Sequence, residues 1–183
     1  MNRNKIDFGR ACSALFVRVT PIFVRSTIVL LTVATAFART IEVPPNEPAA
    51  TLRVPDQWTV QIEGEITQLI SPDRQVQFLI VTIEHGKAAE AMGEVMSYLR
   101  NSFALSVDGD SMKKETGKVS RHDAHFVSWK APNNGLAVEI RYAIFALAPN
   151  EGYLTASWGT PKALRDARTQ LDRIHNSITR RSK

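Results

Sequence analysis

The densest cluster of potential metal ligands in the 183-residue sequence is the stretch RHDAHF, in which His122, Asp123 and His125 fall within four residues. Imidazole and carboxylate side chains bind zinc and copper, and a catalytic zinc site takes three protein ligands. In an extended chain, however, His122 and His125 point to opposite faces, because side chains alternate along a strand. A metal site here would therefore need a bulge, or ligands from elsewhere in the fold.

The other interpretation of this stretch is a hairpin turn over residues 121–123, where aspartate is favoured because its side chain bonds nearby backbone amides. The few distant residues that could complete a metal site are Glu84, His85 and Asp110. The sequence favours the turn, and we assign no metal ligands. The alternative is a small metal- or ligand-binding protein that uses both histidines and the aspartate between them.

Few other signs of catalysis are present. There is no Gly-x-Ser-x-Gly elbow and no glycine-rich phosphate loop. Residues 108–111, DGDS, resemble the beginning of a calcium loop, but the later ligands are missing. The single cysteine, Cys12, lies near the N-terminus, so the rest of the chain has no thiol chemistry and no disulfide. We predict that the protein is not an enzyme, and we assign no catalytic residue and no cofactor.

Residues 1–38 have the composition of a secretory signal peptide. A basic region precedes the apolar run STIVLLTVATAFA, which ends in Ala36-Phe37-Ala38. Small residues at the end of a short apolar segment are typical of signal-peptide cleavage. The run from Thr27 to Ala38 is shorter than the roughly 20 residues of a membrane-spanning helix. We predict cleavage after Ala38, no membrane span in the cleaved chain, and a secreted, periplasmic protein. The alternative is a retained N-terminal anchor with the domain facing the periplasm.

The positive charge of the chain is concentrated in this leader. The formal net charge is +5, of which residues 1–38 contribute +4, and the remainder carries 18 Lys and Arg against 17 Asp and Glu. A net charge of +1 gives the body of the protein little attraction to a phosphate backbone. We therefore expect no nucleic-acid partner.

The hydrophobic pattern predicts a single domain over residues 51–179. It follows a proline-rich extended lead-in, residues 39–50, and precedes a basic tail, residues 180–183. Strand patterns flank the turn SPDR, and QVQFLIVTIE is apolar on both faces, as central strands are. Apolar residues at steps of three and four predict one helix from Ala88 onward.

A second helix is predicted near the C-terminus, after an N-cap threonine and a first-turn proline, Thr160 and Pro161. Within it, His175 is expected to interact with the helix C-terminus together with Arg180 and Arg181. The order of strands, helix, strands and helix predicts an α+β fold, in which helices pack on the faces of a central antiparallel sheet.

The stretch LRVPDQWTV resembles the opening strand of PsbP-like proteins, in which an apolar strand runs into a proline shortly before a tryptophan. The stretch GYLTASWGTP, followed by a helix that ends LDRIHNSI, is similar in order and spacing. The resemblance covers about Ala50 to Ile178. This PsbP-like or Mog-like group includes the extrinsic PsbP protein of photosystem II, the Ran-binding Mog proteins and exported bacterial proteins. The resemblance implies a central antiparallel sheet, helices on both faces and a non-catalytic binding or assembly role, with no catalytic residues to carry over.

The leader, the missing catalytic signatures and the resemblance together indicate an exported, non-catalytic domain that binds a protein or an envelope component. The sequence assigns no residues to that binding surface and no oligomeric state.

Cleavage after Ala38 can be tested by N-terminal sequencing. We expect a C-terminally tagged chain, expressed in a Gram-negative bacterium, to be recovered from the periplasmic extract with Arg39 as its first residue. Ala38→Leu should leave the leader attached, because signal peptidase requires a small residue at that position. A wild-type chain recovered with Met1 still present would contradict the prediction.

Overall fold

The computed structural model describes residues 38–84, 86–133 and 135–181. The predicted signal peptide, apart from Ala38, lies outside the described residues, and so does His85. Among the described residues, no helix is long and apolar enough to span a membrane.

The described residues form ten strands and three helices. In chain order these are β1 (Ala38–Val43), β2 (Ala50–Pro55), β3 (Thr59–Glu63), β4 (Ile66–Ile70), β5 (Val76–Ile83), α1 (Ala88–Phe103), β6 (Asp108–Val119), β7 (His122–Lys130), β8 (Glu139–Ala148), β9 (Glu151–Gly159), α2 (Pro161–Asp166), α3 (Arg168–Ser177) and β10 (Thr179–Arg180).

Seven of the strands form one antiparallel sheet, in the order β3-β4-β5-β9-β8-β7-β6. Strands β1, β2 and β10 form a smaller antiparallel sheet with β2 in the middle. Most neighbours in the large sheet are consecutive hairpin partners. The exception is the β5–β9 pair, which joins the segments on either side of α1. The predicted α+β class, with an antiparallel sheet and packed helices, is confirmed.

The large sheet is covered on both faces. Its central strands β5 and β9 are buried along nearly their whole length, so each face must be shielded from water. One face packs against α1 through Val95 and Leu99. The other packs against α2, α3 and the small sheet, through residues such as Leu171 and Ile174. Apolar burial stabilises this arrangement by about 25 cal/mol for each Å² removed from water.

Trp58 ties the small sheet to the last helix. The residue is only 1% exposed, and its indole Nε1 donates a hydrogen bond to Gln170 Oε1 of α3 at 2.9 Å. Its backbone carbonyl accepts a hydrogen bond from Arg39 Nη2 of β1 at 2.8 Å. The tryptophan therefore belongs to the core, in agreement with the PsbP-like pattern around it.

The hairpin turn at RHDAHF lies earlier in the chain than predicted. Val119 pairs with His122, so the turn residues are Ser120 and Arg121, whose φ angles are 54° and 110°. Two positive φ values match the two-residue turn that suits the twist of a hairpin, and this turn normally favours Asn and Gly. Because Ser and Arg give no such signal, the prediction of a turn over residues 121–123 fell on Asp123, which in the structure lies in strand β7.

The C-terminal segment differs from the predicted single helix and basic tail. The helix is interrupted at Ala167, between α2 and α3. After it, Thr179–Arg180 form β10, which pairs with Thr51 and Ala50. The apolar side chains on both sides of this interruption still pack into the same core cluster as the sheet.

The two ends of the described chain meet in the small sheet. The proline-rich lead-in contributes β1, and its Val43 is fully buried. The Arg180 guanidinium lies 2.8 Å from the Glu151 carboxylate, and Arg181 lies 3.2 Å from Glu42. These ion pairs hold the arginines of the C-terminal segment against the domain.

Gly159, at the end of β9, has no room for a side chain. A Cβ atom there would lie 2.5 Å from the carbonyl oxygen of Gln75, whereas a Cβ at Gly93 in α1 would meet nothing within 4 Å. We expect Gly159→Ala to lower the free energy of unfolding by about 1–3 kcal/mol. Gly93→Ala should raise it by about 0.5–1 kcal/mol, because alanine is the better helix former. Urea denaturation of both variants measures this difference, and effects of the same sign would contradict the close approach at Gly159.

Candidate functional site

The structure does not bring His122, Asp123 and His125 together. All three lie on β7, where Asp123 and His125 are exposed on one face and His122 is directed to the other. The Asp123 carboxylate instead lies 3.1 Å from Lys118 Nζ on the neighbouring strand. Across residues 38–84, 86–133 and 135–181, no group of three His, Cys, Asp or Glu side chains is placed to hold a metal ion. The alternation of side chains expected from the sequence is confirmed.

Charged side chains converge at a different place. A cavity of about 640 Å³ lies between α3 and strands β6 to β9, on the face of the sheet against which α3 packs. We call it the α3 groove. Three cationic and three anionic side chains line it, namely Lys113, Arg141, Arg168, Glu115, Glu139 and Asp172. Its volume is within the range of small-molecule sites, which is about 300–1,000 Å³.

Strand register places four polar side chains in a row along the floor of the α3 groove. Lys113 of β6 pairs with Ser128 of β7, Ser128 with Arg141 of β8, and Arg141 with Ser157 of β9. Paired residues in an antiparallel sheet share a face, so the two cations and two hydroxyls all face α3. The row ends at Phe78 of β5, which belongs to the apolar core beneath the helix.

The Arg141 guanidinium is oriented by a hydrogen bond at its Nε atom. Its Nε donates a hydrogen bond to Glu139 Oε1 at 2.7 Å, and the two side chains are 40% and 24% exposed. On the helical wall, Arg168 and Asp172 form a looser pair at 3.8 Å. Ion pairs this exposed contribute little to stability, typically about 0–1 kcal/mol. Their effect is to orient the charged groups that line the groove.

His175 closes the inner end of the α3 groove. Its Nε2 lies 2.9 Å from the Thr155 hydroxyl, and its ring meets Phe78 edge-on with a centroid distance of 5.1 Å. Burial lowers the pKa of His175 to about 4, although nearby Asp172 favours the protonated form. The imidazole is therefore neutral at pH 7. This corrects the expectation that His175 acts as a charge at the helix C-terminus.

The Thr155–His175 pair has the atoms of a nucleophile and its general base, which in enzymes lie within hydrogen-bond distance. Thr155, however, is only 1% exposed and does not line the groove. A substrate carbonyl cannot approach its hydroxyl without displacing α3. In this arrangement the pair fastens α3 to β9.

A second groove, of about 760 Å³, lies between the end of α1 and strands β3 to β5. Its polar floor is bonded internally, since the Gln68 amide donates to Gln77 Oε1 and its oxygen accepts from the Tyr98 hydroxyl at 3.2 Å. The α3 groove has more charged side chains with unused hydrogen-bonding capacity. It is therefore the better candidate for a functional site.

Comparisons with known proteins establish the fold. No protein-family model and no curated protein matches the sequence. A Bacteroides thetaiotaomicron crystal structure matches with a TM-score of 0.55 at 13% identity, covering 79% of this chain and 49% of that one, so this chain spans about half its length. The cyanobacterial PsbP (CyanoP) of Synechocystis sp. PCC 6803 matches with a TM-score of 0.54 at 8% identity, covering 82% and 96%. The Ran-binding protein Mog1p of Saccharomyces cerevisiae matches with a TM-score of 0.47 at 9% identity, covering 79% and 95%.

The chain has a PsbP-like fold, as the resemblance in the sequence implied. At these identities the likeness concerns the fold alone. The side chains of the α3 groove are therefore judged on their own geometry.

The low pKa of His175 gives a test of its burial. Between pH 6.5, the ordinary histidine value, and about pH 4, the unfolded chain binds a proton that the folded chain does not. The free energy of unfolding should therefore fall as the pH falls through this window, by up to about 1.4 kcal/mol per pH unit. Urea denaturation at a series of pH values measures the slope.

The contribution of His175 to this slope should disappear in His175→Gln. Thr155→Val is the matched control, because it removes the hydrogen bond but leaves the imidazole buried, and burial is the larger cause of the low pKa. A His175→Gln variant with the wild-type slope would show that the imidazole is accessible to water.

Proposed function

We propose that this protein is an exported, non-catalytic binding or assembly domain, and that the α3 groove is the surface on which it holds a protein or envelope partner. The observation that carries the proposal is the convergence of six charged side chains in a solvent-open groove beside α3. These charged side chains come from two strands, β6 and β8, and from one helix, α3, and the register of the sheet positions those on the strands.

The charge pattern supports binding over catalysis. Lys113, Arg141 and Arg168 are matched in number by Glu115, Glu139 and Asp172, so the groove carries no large net charge. Mixed charge of this kind favours selection among partners, because a misaligned partner would bring like charges together. The hydroxyl–imidazole pair next to the groove is sealed by α3, which supports a structural role for it.

The fold and the leader support the rest of the proposal. The PsbP-like group includes an extrinsic photosystem protein and Ran-binding proteins, and the leader resembles that of the exported bacterial members. A periplasmic domain with a net charge near zero meets proteins and envelope components more readily than nucleic acid. The partner would be a protein or an envelope component that presents both carboxylate and cationic groups.

Site-specific photo-crosslinking tests this proposal. A photo-reactive phenylalanine analogue replaces Arg168, which lies on the helical wall of the α3 groove, in tagged full-length protein expressed in the source cells. We expect irradiation to join one envelope protein or component to this position, because a partner in the groove would contact the helical wall.

The matched control carries the same analogue at Lys118, an exposed position on β6 whose side chain is directed to the opposite face. We expect no product at Lys118. A product of equal yield at both positions, or none at either, would contradict a binding role for the α3 groove.

A further inference from the structure

One part of the α3 groove has the geometry of a carboxylate-binding site. Ser128 lies on the central strand of three, with Lys113 directly across on β6 and Arg141 directly across on β8. Neighbouring strands are about 4.8 Å apart, so each cation begins one strand away from the serine hydroxyl on the same face. An anion placed over Ser128 would have an ammonium on one side, a guanidinium on the other and a hydroxyl donor beneath it.

The Arg141 guanidinium is preorganised to bind such an anion. Its Nε is bonded to Glu139, which fixes the plane of the guanidinium and leaves the two terminal nitrogens on the far edge. Within the described part of the chain, Glu139 is its only hydrogen-bond or ion-pair partner. A guanidinium held in this way presents parallel N–H donors, which match the two oxygens of a carboxylate.

The acidic residues of the groove restrict which anion can bind. Glu115 lies two residues along β6 from Lys113, about 7 Å away on the same face, and forms no ion pair with any residue that the structure describes. Together with Glu139 and Asp172 it would repel a dianion such as phosphate. Glu115 would attract an ammonium group that lies roughly 7 Å from the bound carboxylate. The arrangement therefore fits a ligand that carries both charges.

We propose that the α3 groove binds a zwitterionic peptide ligand, whose carboxylate lies over Ser128 between Lys113 and Arg141 and whose amine is directed towards Glu115. This inference rests on the proposed function, since it specifies the chemistry that a partner would present to the same groove. Peptides with free termini and peptide-bearing envelope components share this chemistry.

Calorimetric titration with tri-alanine tests the inference on the purified chain that begins at Arg39. We expect tri-alanine to bind with one-to-one stoichiometry. Its C-terminal amide should bind at least 10-fold more weakly, because it has no carboxylate, and its N-acetyl form should also bind more weakly. Inorganic phosphate at equal ionic strength should not compete. Tight phosphate binding, or equal affinity for the free and the amidated peptide, would overturn the proposal.

Single substitutions in and outside the α3 groove test where tri-alanine binds. Arg141→Gln should reduce tri-alanine affinity by at least 10-fold, and amidating the peptide should then reduce the affinity by less than it does in the wild type, because the contact between Arg141 and the carboxylate is already lost. Lys113→Gln, at an exposed position, should weaken binding in the same direction. Lys118→Gln, on the opposite face of the same strand, is the control and should bind like the wild type. Thermal unfolding confirms that each variant is folded.

The outcomes separate this inference from the proposed function. If an envelope partner crosslinks at position 168 and Arg141→Gln does not reduce its yield, the zwitterion site is wrong while the binding role stands. If tri-alanine binds as expected but no partner crosslinks, the site is correct and the assembly role is wrong. Failure of tri-alanine to bind at millimolar concentration would overturn the inference directly.

Discussion

Burial of the central strands on both faces is the constraint on which the rest of the structure depends. Strands β5 and β9 are apolar or sealed along nearly their whole length, so neither face of the sheet can remain in water. α1 covers one face, and α2, α3 and the small sheet cover the other. The meeting of the two chain ends in the small sheet follows from the same requirement, because β1 and β2 bury Val43 and Leu52 against the second face, and Ile178, directly before β10, is buried with them.

The α3 groove arises where this cover ends. α3 shields β5 and β9, whereas β8, β7 and β6 extend beyond it with polar side chains on the same face. Along β8 the side chains on this face change abruptly from apolar to charged. Phe145 and Ala143 are buried in the core, whereas Arg141 and Glu139 line the groove. The fastening of α3 to β9 by the His175–Thr155 hydrogen bond fixes the inner end of the groove. The groove is therefore a consequence of the fold, and its chemistry is set by which residues occupy the uncovered positions.

Local patterns in the sequence predicted the fold class but not the site. The helix from Ala88 and the strands around SPDR carry their own periodicity, which is why they were predicted. The pairing of β2 with β10 in the small sheet has no local signal, because Thr51 and Thr179 meet across 128 residues. The stretch RHDAHF has the residue types of a metal site, but its two histidine side chains are directed to opposite faces of the sheet. The groove residues could not be identified from the sequence, because they share a face only through the register of the strands. The one sign of them in the sequence was the alternation of Glu139 and Arg141 with apolar residues.

The most direct test of the α3 groove as the functional surface is an amide chemical-shift map of the isotope-labelled domain during titration with tri-alanine. We expect the largest shifts at Ser128, Arg141 and Ser157 and along α3, with little change in β3 and β4. Shifts confined to the second groove, around Gln68 and Tyr98, would place the binding surface on the opposite face and contradict the role assigned to the α3 groove.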